Sequence, residues 1–149
     1  MSVTMNHYEA SFRICVDEVS DGRIQGFLIS RRLTGTIPFT DLGNLVLQVE
    51  EVLNRQHFPQ AFERTRSFCP HGPGNLPVAT DLDSGLSREV VEAAHGAVAT
   101  CLLYVITRRN TSWQGFVDWL DGTRTDYASA LELILLLDQR LSGSAATAE

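Results

Sequence analysis

Two related stretches organise this sequence: Ile24-Gln25-Gly26-Phe27-Leu28 and Trp113-Gln114-Gly115-Phe116-Val117. Each follows a run of alternating residues typical of a strand, and each precedes an apolar stripe typical of an amphipathic helix. A shift of 89 residues aligns residues 12–27 with residues 101–116 without a gap. We interpret the chain as an internal duplication.

The alignment extends into the helices once one residue is deleted, and it then matches residues 39–53 with residues 127–141. Solenoids with a repeat of roughly 45 residues generally need three or more units. Two copies instead favour one α+β domain, in which two units of a β-hairpin or three-strand meander plus a helix are related by a pseudo-two-fold axis. We expect both helices to pack on one face of the sheet.

The same alignment sets the predicted boundaries within a single domain spanning residues 1–149. They are a first ββα unit at 11–55, a helical and loop insert at 56–96, a second unit at 97–142 and a disordered tail at 143–149. Ser87 is predicted to cap a short helix in the insert.

The first strands of the two units differ in their outward residues. Phe12, Ile14 and Val16 alternate with polar residues, as in a half-buried strand. The second unit has apolar residues on both faces, so we expect its strand to be covered on both sides, by the insert or by another molecule. The residues that replace the polar ones are Leu102, Tyr104 and Ile106.

Local signals define the hairpins and the two long helices. A glycine inside a strand indicates close approach by another segment, and we expect the following helix to lie over Gly26 and over Gly115. Asp41 is predicted to cap the first helix, and Ser129 with Glu132 forms a capping box for the second. The second helix is predicted to be the more buried one, because additional leucines widen its apolar stripe. Those leucines are Leu131, Leu135 and Leu136.

Composition indicates a folded globular protein, and its cysteine usage fits a reducing cytoplasm. The chain has 149 residues, 44% of them hydrophobic and 20% charged, which fits a single folded domain. All 12 basic residues are arginines, which excludes Schiff-base chemistry by lysine. The net charge of −6 argues against general binding to nucleic acids or anionic membranes. Three widely spaced cysteines do not form a disulfide framework, and the longest apolar runs are shorter than the ~20 residues that span a bilayer.

The second unit carries a resemblance to a known family. Trp113-Gln114-Gly115-Phe116-Val117-Asp118-Trp119, followed by Tyr127-Ala128-Ser129-Ala130-Leu131-Glu132-Leu133-Ile134, resembles a pattern in small proteins of anaerobic Firmicutes, many of which consist of one such unit. The unit that carries it, residues 97–142, makes up about a third of the chain. The resemblance implies a bacterial source and a hairpin-plus-helix unit. It implies no chemistry, because no activity is established for that family.

Catalytic, cofactor and metal sites find no support in the motifs. Cys69 and His71 are the closest pair of metal-type ligands, but one Cys-x-His pair supplies half a zinc site. No phosphate loop, dinucleotide fingerprint or paired carboxylates stand out in the sequence. We therefore predict no catalytic residue, no cofactor and no metal, and enzymatic activity is the less favoured interpretation.

One arginine cluster is a candidate anion site, formed by Arg55, Arg64 and Arg66. Such a cluster suits a phosphate or an acidic peptide. The alternative, which we favour, is that these arginines pair with acidic residues of the flanking helices.

A candidate partner surface lies on the sheet face opposite the strand glycines. Its predicted residues are Phe27, Phe116, Leu102, Tyr104 and Ile106. Monomers rarely leave a large apolar patch uncovered, so this surface predicts a non-catalytic module that binds a protein partner or a second copy. The alternative is a ligand-binding protein or an enzyme with a site in the insert, around Arg64, Arg66, Cys69 and His71.

Overall fold

The computed structural model describes residues 11–20, 23–56, 77, 79, 85–108 and 112–147. These residues form an α+β structure of six strands and three helices. In chain order they are β1 (Phe12–Ser20), β2 (Arg23–Ile29), β3 (Ile37–Phe39), α1 (Leu42–Gln56), α2 (Arg88–Ala93), β4 (Ala99–Thr107), β5 (Gln114–Asp118), β6 (Arg124–Tyr127) and α3 (Ala130–Thr147).

The six strands form one antiparallel sheet in the order β3-β2-β1-β4-β5-β6. The first strands of the two sequence units, β1 and β4, are neighbours at the centre. The third strands, β3 and β6, form the edges and have only three and four residues. Each unit therefore contributes one half of the sheet.

The main core lies between the sheet and the two long helices, as expected from their stripes. Alternate strand residues such as Phe12, Ile14 and Leu103 are fully buried on this side. Leu45 of α1 and Leu133 of α3 belong to the same cluster, and α1 and α3 also contact each other. This side is called the α1/α3 face below.

Residues that alternate with these point to the other side of the sheet, which we call the α2 face. It carries Arg13, Cys15, Phe27, Leu102, Tyr104 and Phe116. The prediction that β4 is covered on both sides is confirmed at Leu102 and Tyr104, which are buried as well as Leu103, whereas Ile106 is partly exposed.

The two halves of the sheet have matching hydrogen-bonded registers. Val16 pairs with Gly26, and after one unpaired residue the β1·β2 ladder resumes. Val105 pairs with Gly115, and β4·β5 shows the same irregularity at the same place. At the centre of the sheet Arg13 pairs with its own counterpart in the alignment, Leu102.

The structure corrects the expected reason for the strand glycines. A Cβ atom on Gly26 would overlap the carbonyl oxygen of Cys15, and one on Gly115 would overlap that of Tyr104. The close neighbour is therefore the adjacent strand at its bulge, and not the following helix. Bulges bend the strand and bring its backbone towards the partner.

The predicted burial of the second helix is also corrected. Leu133 and Leu137 are buried, whereas Leu131 and Leu135 are 67% and 60% exposed and Leu136 is only partly buried. A helix that covers one face of a sheet buries a single stripe, because its far side meets solvent.

The ends of the two long helices bear on two further predictions. The side chains of Asp41 and Ser129 accept hydrogen bonds from the amides of Asn44 (2.7 Å) and Glu132 (3.0 Å), which confirms the predicted caps. The α3 backbone continues to Thr147, so residues 143–147 are helical where a tail was predicted. Alanine, which recurs in this segment, is the strongest helix former.

Candidate functional site

The short helix α2 lies over the middle of the α2 face. As predicted, Ser87 caps it, with its hydroxyl accepting a hydrogen bond from the Val90 amide at 3.3 Å. None of the six helical residues is buried. The helix therefore rests on the sheet through contacts at its two ends and not through an apolar stripe.

Two arginines attach the segment around α2 to the sheet. Arg13 of β1 donates from Nε to the Ala94 carbonyl, just after the helix, at 2.6 Å. Arg31, which follows β2, donates from Nε to the Leu86 carbonyl, just before the helix, at 3.4 Å. Arg13 is only 7% exposed as a result. The alternation of residues in β1 had predicted that Arg13 points outward into solvent. The segment around α2 that covers Arg13 is distant in the sequence, so the local pattern could not predict its burial.

A cleft opens between α2 and the strands beneath it. It is shallow: the space open to a water-sized molecule inside it is about 30 Å³. The sheet side contributes Ser11, Arg13, Arg31 and Leu102, and the helix side contributes Arg88, Val91 and Glu92. Three arginines thus share the cleft with one carboxylate and two apolar side chains, which gives it a positive charge in an acidic protein.

An aromatic cluster lies on the same face, on the β4 and β5 side. The rings of Tyr104 and Phe116 stack with centroids 4.4 Å apart, and the Arg124 guanidinium carbon lies 4.4 Å from the Phe116 centroid. Cation–π contacts of this kind hold an arginine across an aromatic face. Arg124 itself is exposed, so the cluster offers both charge and aromatic surface to solvent.

The residues predicted as a partner surface are spread across the sheet, because Phe27 is on β2 and Phe116 is three strands away on β5. Phe27, Leu102, Tyr104 and Phe116 are on the α2 face, and Ile106 is at the bulge of β4. Leu102 and Tyr104 are buried, at 9% and 8% exposure. Phe27, Phe116 and Ile106 are partly exposed.

The predicted anion cluster is described only in part. Arg55 forms an ion pair with Glu51 of the same helix at 3.3 Å. Arg64, Arg66, Cys69 and His71 lie outside the described residues. Within the described ranges no group of three or more histidine, cysteine or acidic side chains is placed to hold a metal ion.

Burial keeps several reactive groups of the core in their neutral forms. It raises the pKa of the Cys15 thiol to about 11 and that of Cys101 to about 12. It also raises the pKa of Tyr127, whose hydroxyl donates to the Tyr104 carbonyl at 2.7 Å.

Two further arginines, Arg108 and Arg32, are buried, and no sequence pattern had assigned a role to either. Arg108 donates to the Asn54 side chain at 2.6 Å and to the Leu53 carbonyl at 3.5 Å, near the end of α1. Arg32 lies 5.1 Å from the ring centroid of Phe12. Burial, and to a smaller extent the charge of Arg108, lower the pKa of Arg32 to about 9. Both remain cations at neutral pH, and a cation near the end of a helix is stabilised by the helix dipole.

No protein-family model, curated protein or solved structure matches this chain. Among the helices that the structure describes, none is long and apolar enough to cross a membrane.

Proposed function

We propose that this protein is a non-catalytic binding module of the bacterial cytoplasm, and that a protein partner or a second copy binds it on the α2 face. The observation that carries the proposal is the unequal cover of the two sheet faces. The α1/α3 face is packed by two long helices. Among the described residues, the α2 face is covered by the six-residue helix α2 and its flanking segments, which leave Phe27 and Phe116 partly exposed.

Three features of the α2 face support a binding role. Phe27 and Phe116 are partly exposed, and aromatic side chains are enriched at protein interfaces. Arg124, over Phe116, adds the residue type most often found with aromatics at binding hot spots. The side chains of Cys15, Cys101 and Tyr127 are buried, so these three groups are not presented to a substrate in solvent.

A pull-down comparison of three variants tests this proposal. Phe27→Glu and Arg124→Glu alter the α2 face, while Leu47→Glu places the same charge on α1, where Leu47 is 70% exposed. We expect proteins retained by the tagged wild type to be lost with the first two variants and kept with the third. If binding is to a second copy, light scattering should show the same pattern.

Circular dichroism of each variant serves as the folding control. Retention of the same proteins by all three folded variants would contradict the proposal. Loss caused by Leu47→Glu alone would move the binding surface to the outer side of α1 and α3.

We also propose that the two halves of the sheet arose by duplication and are related by a pseudo-two-fold axis that passes between Arg13 and Leu102. We further propose that the protein is related to the small Firmicutes proteins that its second unit resembles. The matching registers and bulges of the two halves support the duplication. So does the aromatic residue opposite each strand glycine, Phe39 across from Gly26 and Tyr127 across from Gly115.

The substitution Phe39→Tyr tests the equivalence of the halves. If they are equivalent, the new hydroxyl should reach the Cys15 carbonyl, as Tyr127 reaches that of Tyr104, and the free energy of unfolding should hold steady or rise by up to about 1 kcal/mol. Phe12→Tyr is the matched control, because a hydroxyl buried there has no such counterpart and should destabilise the fold. Equal destabilisation by both substitutions would refute the equivalence.

A further inference from the structure

We infer that the chain pairs with a second copy of itself through the edge strand β6, so that two six-stranded sheets join into one continuous sheet. β6 is the last strand in the sheet order, and among the described residues no strand pairs with its outer edge. Arg124, Thr125 and Asp126 are all exposed. An edge strand of this kind can add a strand from another molecule. This surface is separate from the α2 face, so the inference does not rest on the proposed function.

The hydrogen bonds between β5 and β6 indicate which main-chain groups of β6 point outward. The Trp119 amide donates to the Thr123 carbonyl at 3.1 Å, at the start of the β5·β6 ladder. Hydrogen-bonded positions alternate along an antiparallel pair, so the main-chain groups of Thr125 also point towards β5. Those of Arg124 and Asp126 point away from β5. The outer edge of β6 therefore presents the N–H and C=O groups of these two residues to a second strand.

The side chains of the same residues make this edge complementary to itself. When two β6 strands pair antiparallel about a two-fold axis at Thr125, Arg124 of each copy lies opposite Asp126 of the other. Residues opposite each other at such positions exchange both main-chain hydrogen bonds, and their opposite charges attract. The two copies of Thr125 meet at the axis, and a pair of threonines is also favourable across strands.

Both charged side chains are available for this pairing. The Arg124 guanidinium carbon lies 4.4 Å from the Phe116 ring centroid, a contact that holds the arginine over the ring. Asp126 is exposed, and within the described ranges no ion pair includes it. Exposed ion pairs add little affinity, so their main effect is to select this register over a shifted one.

The other edge of the sheet is blocked at the corresponding position. In β3 the exposed Pro38 pairs with Phe27, as Asp126 of β6 pairs with Phe116. Proline has no N–H group, and natural sheets use it to prevent the addition of a strand at an edge. One edge is therefore closed to strand pairing and the other is open. Because the pairing at the open edge is two-fold symmetric, assembly should stop at the dimer.

Analytical ultracentrifugation of the full chain tests the inference. Because small interfaces are weak, the measurement covers about 10 µM to about 1 mM protein, and we expect a monomer–dimer equilibrium. Asp126→Pro copies the blocked edge of β3 and should abolish the dimer. The N–H group that it removes points away from β5, so the hairpin keeps its own hydrogen bonds.

A charge exchange tests the register of the dimer. Arg124→Asp and Asp126→Arg each place like charges opposite each other, and each should weaken dimerisation about tenfold. The double variant Arg124→Asp/Asp126→Arg restores opposite charges and should dimerise more tightly than either single variant. Circular dichroism verifies the fold of every variant, and the charge exchange decides the question if Asp126→Pro does not fold.

The inference is overturned if the wild type is a monomer at every concentration, if folded Asp126→Pro still dimerises, or if the double variant is no tighter than the single ones. Phe27→Glu is the control, because Phe27 lies on β2 in the other half of the sheet, and it should leave the dimer intact. Loss of the dimer in this control would place self-association on the α2 face instead. Phe27→Glu thus tests the α2 face alone and Asp126→Pro tests the edge alone, so the two proposals can fail separately.

Discussion

Substitution of Gly115 by alanine tests how the two hairpins are built. The added Cβ atom would overlap the carbonyl oxygen of Tyr104 and lie 3.0 Å from the Tyr127 hydroxyl oxygen. Relief of this overlap must move the bulged strand or displace the Tyr127 ring. Overpacking and the loss of a buried hydrogen bond both lower the free energy of unfolding, whereas alanine raises it slightly by restricting the unfolded chain. We expect a net decrease of about 2 to 3 kcal/mol.

Urea denaturation of the variant and of two controls provides the measurement. Gly35→Ala is the matched control, because its Cβ would lie 3.8 Å from Pro77 in ordinary contact, and we expect a change below about 1 kcal/mol. Tyr127→Phe should make Gly115→Ala less damaging, since the hydrogen bond is then already absent. If Gly115→Ala and Gly35→Ala unfold at the same urea concentration, the account of this glycine is wrong.

Three further predictions follow from burial. The folded chain retains the Tyr127 proton above pH 10.0, where an unfolded tyrosine releases it. The free energy of unfolding should therefore fall as pH rises through that value. Urea titrations at about pH 8 and pH 11 should show a smaller decrease in the free energy of unfolding for Tyr127→Phe than for the wild type. Burial raises the pKa values of Cys15 and Cys101 to about 11 and 12. Both thiols should therefore react with a disulfide reagent at neutral pH only after the protein unfolds. Stoichiometric labelling of both thiols in the native protein would contradict this prediction. Leu133→Ala should lower the free energy of unfolding by about 2 to 5 kcal/mol. Leu135 is exposed, so Leu135→Gln should change the free energy of unfolding by less than about 0.5 kcal/mol. Equal denaturation midpoints for the two variants would refute the burial assignment.

The elements that the sequence predicted correctly depend on local chemistry. Alternation at Phe12, Ile14 and Val16 indicates a strand whatever its neighbours are. Asp41 and Ser129 cap helices through amides only three residues away. The α+β class and the packing of both long helices on one face followed from these local patterns.

The features that the sequence could not predict depend on distant segments. The bulges that explain Gly26 and Gly115 arise from the pairing of two strands, and the sequence of one strand does not show which backbone atoms of its partner lie beside the glycine. The exposure of Leu135 depends on which side of α3 meets the sheet. The cleft combines Arg13, Arg31 and Arg88 from three parts of the chain, and no spacing rule links residues that meet only after folding.

The central position of β1 and β4 has a consequence for the order of folding. Strands within each half pair with neighbours close in sequence, whereas the pairing of Phe12 with Leu103 closes a loop of roughly 90 residues, and closure of long loops carries a larger entropic cost. Contacts between distant residues slow folding. We therefore expect the hairpins to form early and the joining of the two halves to be the slow step, so the chain should pass through a stage in which the inner edges of β1 and β4 are both unpaired and able to join a strand from another molecule.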